Sequence, residues 1–151
     1  MIKIICVGKI KEKFYKEAII EYEKRLSKYT KIKIIEVEDT NNNNEEIIKQ
    51  KEKELILKHI EPKDYIITLE IEGKEINSIE LSKKIQQLEI TNPNITFIIG
   101  GSYGLDEQIK NISNFKLSFS KLTFPHQLFR VILLEQIYRA YKIKNNESYH
   151  K

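Results

Sequence analysis

Two sequence patterns alternate along this chain, and their alternation restricts its possible folds more than any other feature. Short apolar runs predict β-strands, and segments whose apolar residues recur every three or four positions predict α-helices. The predicted strands cover residues 2–7, 31–37, 64–70, 95–100 and 115–120, and the predicted helices cover residues 12–29, 45–60, 78–90, 105–112 and 125–142. This order predicts an α/β fold, with a mostly parallel sheet that carries helices on both faces.

The final predicted helix is apolar around almost its whole circumference. Its apolar residues are Leu128, Phe129, Val131, Ile132, Leu133, Leu134, Ile137, Tyr138, Ala140 and Tyr141. One face of such a helix can cover the sheet, and the opposite face needs a second partner. In a chain of only 151 residues, we expect that partner to be the same helix of a second subunit, which predicts a homodimer.

Length and composition predict one domain, residues 1–151, that works in the cytoplasm. The chain is long enough to bury a sizeable core, and no segment approaches the ~20 consecutive apolar residues of a membrane span. Residues 1–14 contain one short apolar stretch followed by charge, so we interpret them as a first strand rather than a signal peptide. Cys6 is the only cysteine, which fits a reducing compartment and a buried structural thiol.

Positive charge is concentrated in the last third of the chain. Residues 1–100 carry 18 Lys and Arg against 18 Asp and Glu, whereas residues 101–151 carry 8 against 4. This asymmetry is compatible with a phosphate-rich partner such as a nucleic acid. A solvated helix face in a lysine-rich protein would have the same composition, so charge alone leaves both interpretations open.

Residues 100–104, "GGSYG", match the G-x-S-x-G turn that exposes the nucleophile of serine hydrolases. Asp106 and His126 follow in the chain order of a catalytic triad. However, Asp106 lies only four residues after Ser102, where we expect it to cap the next helix, and no HGGG-type segment supplies a second oxyanion donor. We therefore interpret the glycines as allowing close approach of the backbone to a ligand or a crossing segment, with a small serine hydrolase as the alternative.

Three loops follow the carboxyl ends of predicted strands, which is where open α/β sheets bind ligands. These loops contain "IEGK" (71–74), "GGSYG" (100–104) and "SKLTFPHQ" (120–127). The sequence therefore predicts a ligand site at this edge of the sheet. His126 begins a helix there and can serve either as a cap or as a functional group. The three histidines lack the spacing of metal ligands and there is no second cysteine, so no metal site is predicted.

Four segments together carry a resemblance to a known family. They are "GKIKEKFYKEAIIEYEKRLSKY", "FIIGGSYGL", "LSFSKLTFPHQLFRVILLEQIYRAYKI" and the terminal "SYHK". In this order they resemble the RlmH family of SPOUT-class ribosomal large-subunit RNA methyltransferases, over essentially the whole chain. The resemblance implies a homodimeric enzyme with a C-terminal deep trefoil knot. It also implies that the enzyme transfers a methyl group from S-adenosyl-L-methionine (S-adenosylmethionine) to nitrogen-3 of a pseudouridine in the 23S rRNA of assembled ribosomes.

The same resemblance implies roles for individual residues. The cofactor pocket is expected to be lined by Leu69, Gly100, Phe119, Ser120, Lys121, Leu122, Thr123 and Phe124. We expect the catalytic residues His126, Tyr149 and His150 to approach the target base. Arg130 and Arg139 are expected to bind RNA phosphates or neutralise developing charge, with salt bridges on the helix surface as the alternative for both.

Overall fold

The computed structural model describes residues 1–151 and contains a five-stranded sheet in which every strand pairing is parallel. The strands are β1 (Ile2–Val7), β2 (Ile32–Val37), β3 (Asp64–Glu75), β4 (Asn94–Ile99) and β5 (Phe115–Ser118). The helices are α1 (Lys13–Leu26), α2 (Glu45–Leu57), α3 (Ser78–Thr91), α4 (Glu107–Ile112) and α5 (His126–Lys144). The strand order is β2-β1-β4-β3-β5. The predicted α/β fold is confirmed.

Strands β1 and β4 lie side by side in the middle of the sheet, and all residues of both are buried. Their near-continuous apolar sequences follow from this position, because helices cover both faces of a parallel sheet. Lys3 is the charged exception in β1. Its Nζ lies 2.6 Å from Oδ2 of Asp64 in β3 and donates to the carbonyl of His59 at 2.7 Å. The buried charge is therefore paired and hydrogen-bonded, as burial of an ion requires.

The helices divide between the two faces of the sheet. Helices α1, α3 and α5 pack on the face that carries Ile4 and Phe97, while α2 and α4 pack on the face that carries Ile5 and Ile98. Helix α5 lies against both α1 and α3, so its apolar circumference is largely covered within one chain. Leu128, Phe129, Val131 and Ile132 stay only half-buried, so the contact of this helix with a second subunit remains a prediction. Intrachain packing explains most of its apolar pattern.

Strand β3 is longer than predicted, because residues expected in a loop continue it to Glu75. The pairing with β5 is irregular, and both Leu69 and Lys74 lie opposite Leu117. A Cβ on Gly73 would lie 2.8 Å from the carbonyl carbon of Lys116, so only glycine allows the two backbones to approach this closely. The extension depends on an edge partner 43 residues away, which local periodicity does not encode.

Helix termini agree closely with the sequence prediction. Asp106 is the N-cap of α4, as predicted, since its Oδ1 accepts a hydrogen bond from the backbone N–H of Gln108 at 2.8 Å. Pro125 is the N-cap of α5 rather than its first helical residue, and α1 ends at Leu26 rather than at residue 29. No helix of the structure combines the length and the apolar character needed to cross a membrane.

Candidate functional site

A cavity of about 360 Å³ lies beside residues 69–72 of β3 and at the carboxyl ends of β4 and β5, where the three predicted loops meet. Its volume falls within the ~300–1,000 Å³ that is typical of small-molecule sites. Its lining includes most of the residues expected to hold a cofactor, namely Leu69, Gly100, Phe119, Ser120, Leu122, Thr123 and Phe124. Lys121 is exposed and is not part of the lining. Ser102 and His126 also line this cavity.

The glycine turn, residues 100–104, forms one wall of the cavity. The carbonyl of Gly101 accepts a hydrogen bond from the N–H of Gly104 at 3.0 Å, and Gly104 has a φ of +79°, in the left-handed region that favours glycine. A Cβ on Gly100 would lie 2.9 Å from the carbonyl carbon of Gly104. A Cβ on Gly101 would lie 2.9 Å from Oε1 of Glu52. At Gly100, Gly101 and Gly104 the turn therefore presents only backbone to the cavity, whereas Ser102 carries a side chain.

The loop between β5 and α5, residues 119–125, forms the opposite wall. Phe119 and Phe124 both pack on Phe129, with ring centroids 5.0 and 6.1 Å apart. The hydroxyl of Ser118 donates to the carbonyl of Ser120 at 3.1 Å, and the hydroxyl of Ser120 accepts from the N–H of Leu122 at 3.0 Å. Aromatic packing and these local hydrogen bonds fix the loop without using a charged group, which leaves an apolar wall with a few polar atoms.

The imidazole of His126, at the start of α5, lines this cavity and can ionise. Desolvation and the nearby Arg130 guanidinium lower the pKa of His126, while Asp39 acts in the opposite direction. The imidazole is therefore neutral at pH 7 and can accept a proton. No cluster of three or more His, Cys, Asp or Glu side chains is arranged to hold a metal ion.

The structure does not assemble the catalytic triad that the glycine turn suggests. Ser102 and His126 line the same cavity, but the carboxylate of Asp106 is used to cap α4. No acid therefore orients the imidazole toward the serine, as a triad requires. The serine-hydrolase alternative has no support.

Arg130 is 1% exposed and does not face solvent. Its guanidinium donates to Oε2 of Glu36 at 2.6 Å and to the carbonyls of Gly8 and Val7 at 3.0 and 3.3 Å. These contacts fasten α5 to the carboxyl ends of β1 and β2. We therefore assign Arg130 a structural role in place of the predicted RNA contact, because burial keeps its charge away from any phosphate.

The C-terminal residues are held against α5 by Glu135. Its Oε1 accepts hydrogen bonds from the hydroxyl of Tyr149 and from Nε of Arg139, both at 3.0 Å, and it forms an ion pair with Arg139. Nη1 of Arg139 lies 3.1 Å from Nδ1 of His150. Burial and the Glu135 carboxylate raise the pKa of Tyr149 to about 12, so its phenol stays protonated.

The structure does not bring the three predicted catalytic residues into one pocket. His150 lines a second cavity of about 540 Å³, whereas His126 lines the first. Phe119 and Phe124 contribute to both cavities and form the boundary between them. Tyr149 contributes to neither and packs its ring on Tyr138, with centroids 5.0 Å apart.

Sequence reasoning missed Glu52, whose carboxyl group packs against the glycine turn. The one available signal was its position on α2, four residues after Ile48 and four before Ile56, in the stripe that is buried against the sheet. A carboxylic acid within an apolar stripe is unusual, since an isolated buried charge is costly.

Comparison with known proteins places this arrangement in a family. The family model described as a predicted SPOUT methyltransferase matches residues 1–150. The protein named ribosomal RNA large subunit methyltransferase H of Clostridium botulinum (strain Kyoto / Type A2) is 58% identical, over 99% of both chains. A putative ribosomal RNA large subunit methyltransferase H of Methanococcus maripaludis is 57% identical over the same shares.

A solved structure agrees at the level of the fold. The structure of a probable methylase family protein from Haemophilus influenzae Rd KW20 matches with a TM-score of 0.59 at 12% identity. The match covers 99% of this chain and 70% of that one. On the near-complete match of the family model and the two full-length relatives, the chain belongs to the SPOUT methyltransferase family, among the proteins named ribosomal RNA large subunit methyltransferase H.

Proposed function

We propose that this protein methylates nitrogen-3 of a pseudouridine in the 23S rRNA of assembled ribosomes, with S-adenosylmethionine as the methyl donor. The observation that carries the proposal is the similarity to the methyltransferase H relatives over 99% of the chain. In this proposal residues 1–151 act as one domain, in the cytoplasm, as a homodimer. The last third of the chain, which carries the excess of positive charge, contacts the RNA.

The residues around the first cavity fit S-adenosylmethionine in size and chemistry. Gly100 and Gly101 have no room for side chains, so a ligand there meets backbone N–H and C=O groups. Phe119 and Phe124 supply aromatic surface, and Ser120 and Thr123 supply hydroxyls. We therefore assign the binding of the methyl donor to these residues together with Leu69 and Leu122, and we place Lys121 at the exposed edge of the same loop.

The chemistry requires alignment and the removal of one proton. S-adenosylmethionine supplies a sulfonium-bound methyl group that a nucleophile can attack in line. The target nitrogen must lose its proton, and the neutral imidazole of His126 can accept it because it borders the cavity. In this proposal Tyr149 and His150 also approach the base. His150 does so from the second cavity, beside Arg139, and Tyr149 does so from its contact with Glu135 outside both cavities.

We also propose that the chain between β5 and α5 forms part of a trefoil knot. Strand β5 is at one edge of the sheet, next to β3. Helix α5, however, begins near the end of β1, which is separated from β5 by β4 and β3. There the side chain of Gln127 accepts a hydrogen bond from the N–H of Lys11 at 2.9 Å. Residues 119–125 therefore cross the carboxyl ends of β3 and β4. This crossing supports a threaded chain, a topology that is rare in proteins.

The first experiment is a calorimetric titration of the purified protein with S-adenosylmethionine, followed by a methylation assay with labelled methyl donor. Ribosomes from cells that lack this enzyme should incorporate label into one pseudouridine, and free 23S rRNA should not. Failure of the donor to bind to the protein, together with no label in ribosomes, would refute the proposal. Replacement Ser102→Ala should leave methyl transfer detectable, whereas it would abolish a serine hydrolase.

The His150→Ala variant tests the assignment of the tail. Full methylation of ribosomes by this variant would remove His150 from the catalytic residues without affecting the rest of the proposal. Analytical ultracentrifugation tests the homodimer, since the molar mass that it measures should be twice that of the chain.

A further inference from the structure

Glu52 occupies an unusual place behind the wall of the first cavity. It belongs to α2, on the opposite face of the sheet from α5, and is 3% exposed. Its Oε1 and Oε2 lie 2.9 and 3.2 Å from the position that a Cβ on Gly101 would occupy. The carboxyl group therefore packs directly on the backbone of a residue that lines the cavity, without a side chain between them.

The surroundings of Glu52 favour the uncharged acid. Its Oε2 is buried and has no hydrogen-bond partner. The backbone of Gly101 faces the carboxyl, and Val7 borders the same position of a Gly101 Cβ; neither residue ionises. The charged group that acts on Glu52 is Asp39, in the loop before α2, and it is an anion. A carboxylate at this place would be buried beside a like charge, with no cation to compensate it.

Protonation of Glu52 changes within the physiological range. Burial and the Asp39 carboxylate raise the pKa of Glu52 to about 7, although the backbone N–H of Thr40 opposes this shift. His126, which lines the same cavity, is also affected by Asp39, but its pKa is lowered from the ordinary value of 6.5. The two groups are therefore expected to titrate in different pH ranges.

We propose that Glu52 is a positioning residue for binding of the methyl donor: its neutral carboxyl supports Gly101 and holds the glycine turn in the shape of the cavity. When Glu52 is ionised, its carboxylate gains stability only by moving toward water. Because the carboxyl contacts the backbone of Gly101 directly, such a movement displaces a wall of the cavity. The inference rests on the proposed function, since it requires that this cavity binds S-adenosylmethionine.

The expected effect is a loss of affinity as the pH rises. If only the protein with neutral Glu52 binds the donor, the apparent Kd increases by about tenfold between pH 6 and pH 8, because about one molecule in ten remains neutral at pH 8. In Glu52→Gln, the side chain has the same shape and cannot ionise. This variant should retain the pH 6 affinity of the wild type at pH 8.

The test is a calorimetric titration with S-adenosylmethionine from pH 6 to pH 8.5. Glu54→Gln is the matched control, an exposed glutamate of the same helix, and it should behave as the wild type. Titration of the donor's own amino group affects all variants equally. Asp39→Asn should shift the transition to lower pH, because it removes the anion that raises the pKa of Glu52. A purely packing role of Glu52 would not produce this shift.

The outcomes separate the two proposals. Identical pH profiles of the wild type and Glu52→Gln, or an unmoved transition in Asp39→Asn, would overturn the role of Glu52 alone. Absence of donor binding to the wild type at pH 6 would overturn the proposed function and this inference with it. Thermal unfolding without ligand gives an independent measurement, in which Glu52→Gln should unfold at a higher temperature than the wild type at pH 8 but not at pH 5.

Discussion

Replacing Arg130 with methionine should destabilise the fold by about 3 kcal/mol. The change removes a guanidinium that is 1% exposed and donates hydrogen bonds to Glu36, Gly8 and Val7. Loss of one partner of a buried ion pair costs about 3–5 kcal/mol. The lower end applies here because the side chain of Glu36 is 37% exposed and its carboxylate can regain water. Methionine fills most of the space of the arginine stem, so a cavity contributes little.

Urea unfolding at pH 7 measures this loss as a lower midpoint at an unchanged slope. Arg25→Met is the matched control, because Arg25 pairs with Glu21 on the exposed face of α1 and its loss should change the midpoint little. The double variant Arg130→Met with Glu36→Gln should lose less than the sum of the single losses, because the two side chains interact directly. Donor binding should also weaken, since Arg130 fastens the start of α5 beside the cavity.

A different result would restore the interpretation of Arg130 as an RNA ligand. That interpretation predicts an unfolding free energy within about 0.5 kcal/mol of the wild type. It also predicts weaker ribosome binding whose salt dependence has a slope smaller by about 1. Observation of both in Arg130→Met would refute the structural assignment.

Two further predictions follow from close contacts. Lys3→Met leaves the Asp64 carboxylate, 0% exposed, without its cation, so urea unfolding at pH 7 should show a loss of about 3–5 kcal/mol. Burial opposes ionisation of Asp64, but the Glu61 N–H, Lys3 and Asn94 hold its pKa below 3.8. This stabilisation is therefore present above pH 3.8, and the difference in unfolding free energy between wild type and variant should narrow below that pH. A difference that does not change with pH would contradict the reasoning. Gly101→Ala places a Cβ 2.9 Å from a Glu52 oxygen. Calorimetry should show donor binding weakened at least about tenfold, a difference of about 1.4 kcal/mol in binding free energy. Tyr103→Phe, which changes an exposed side chain of the same turn, should leave donor binding unchanged.

The sequence predicted the elements and the position of the cavity well, because both depend on local or general rules. Buried strands and amphipathic helices differ in the period of their apolar residues, which can be counted along the chain. The N-cap role of Asp106 also followed from its place before an acidic helical segment. The ligand cavity was expected where strands end, since that rule applies to open parallel sheets in general.

The side chains whose roles were mistaken or missed depend on contacts between distant residues. The sequence suggests that Arg130 is a surface cation on an apolar helix, but its hydrogen-bond partners are 94 to 123 residues away. In the sequence Glu52 is one of many acidic residues in a charged helix, and only the folded structure shows that its carboxyl group contacts Gly101. In both cases burial in the folded protein, rather than residue type, determines what the side chain does.

The amino-acid sequence by itself determined the α/β class, the order of ten elements and the family to which the protein belongs, because apolar periodicity and long motifs are properties of the linear chain. The tertiary structure alone decided the strand order, the extension of β3 along β5 and the covering of α5 by α1 and α3. It also decided which charges are buried. These features depend on which segments meet in space, and the free energy of burying a group is set by the atoms that surround it.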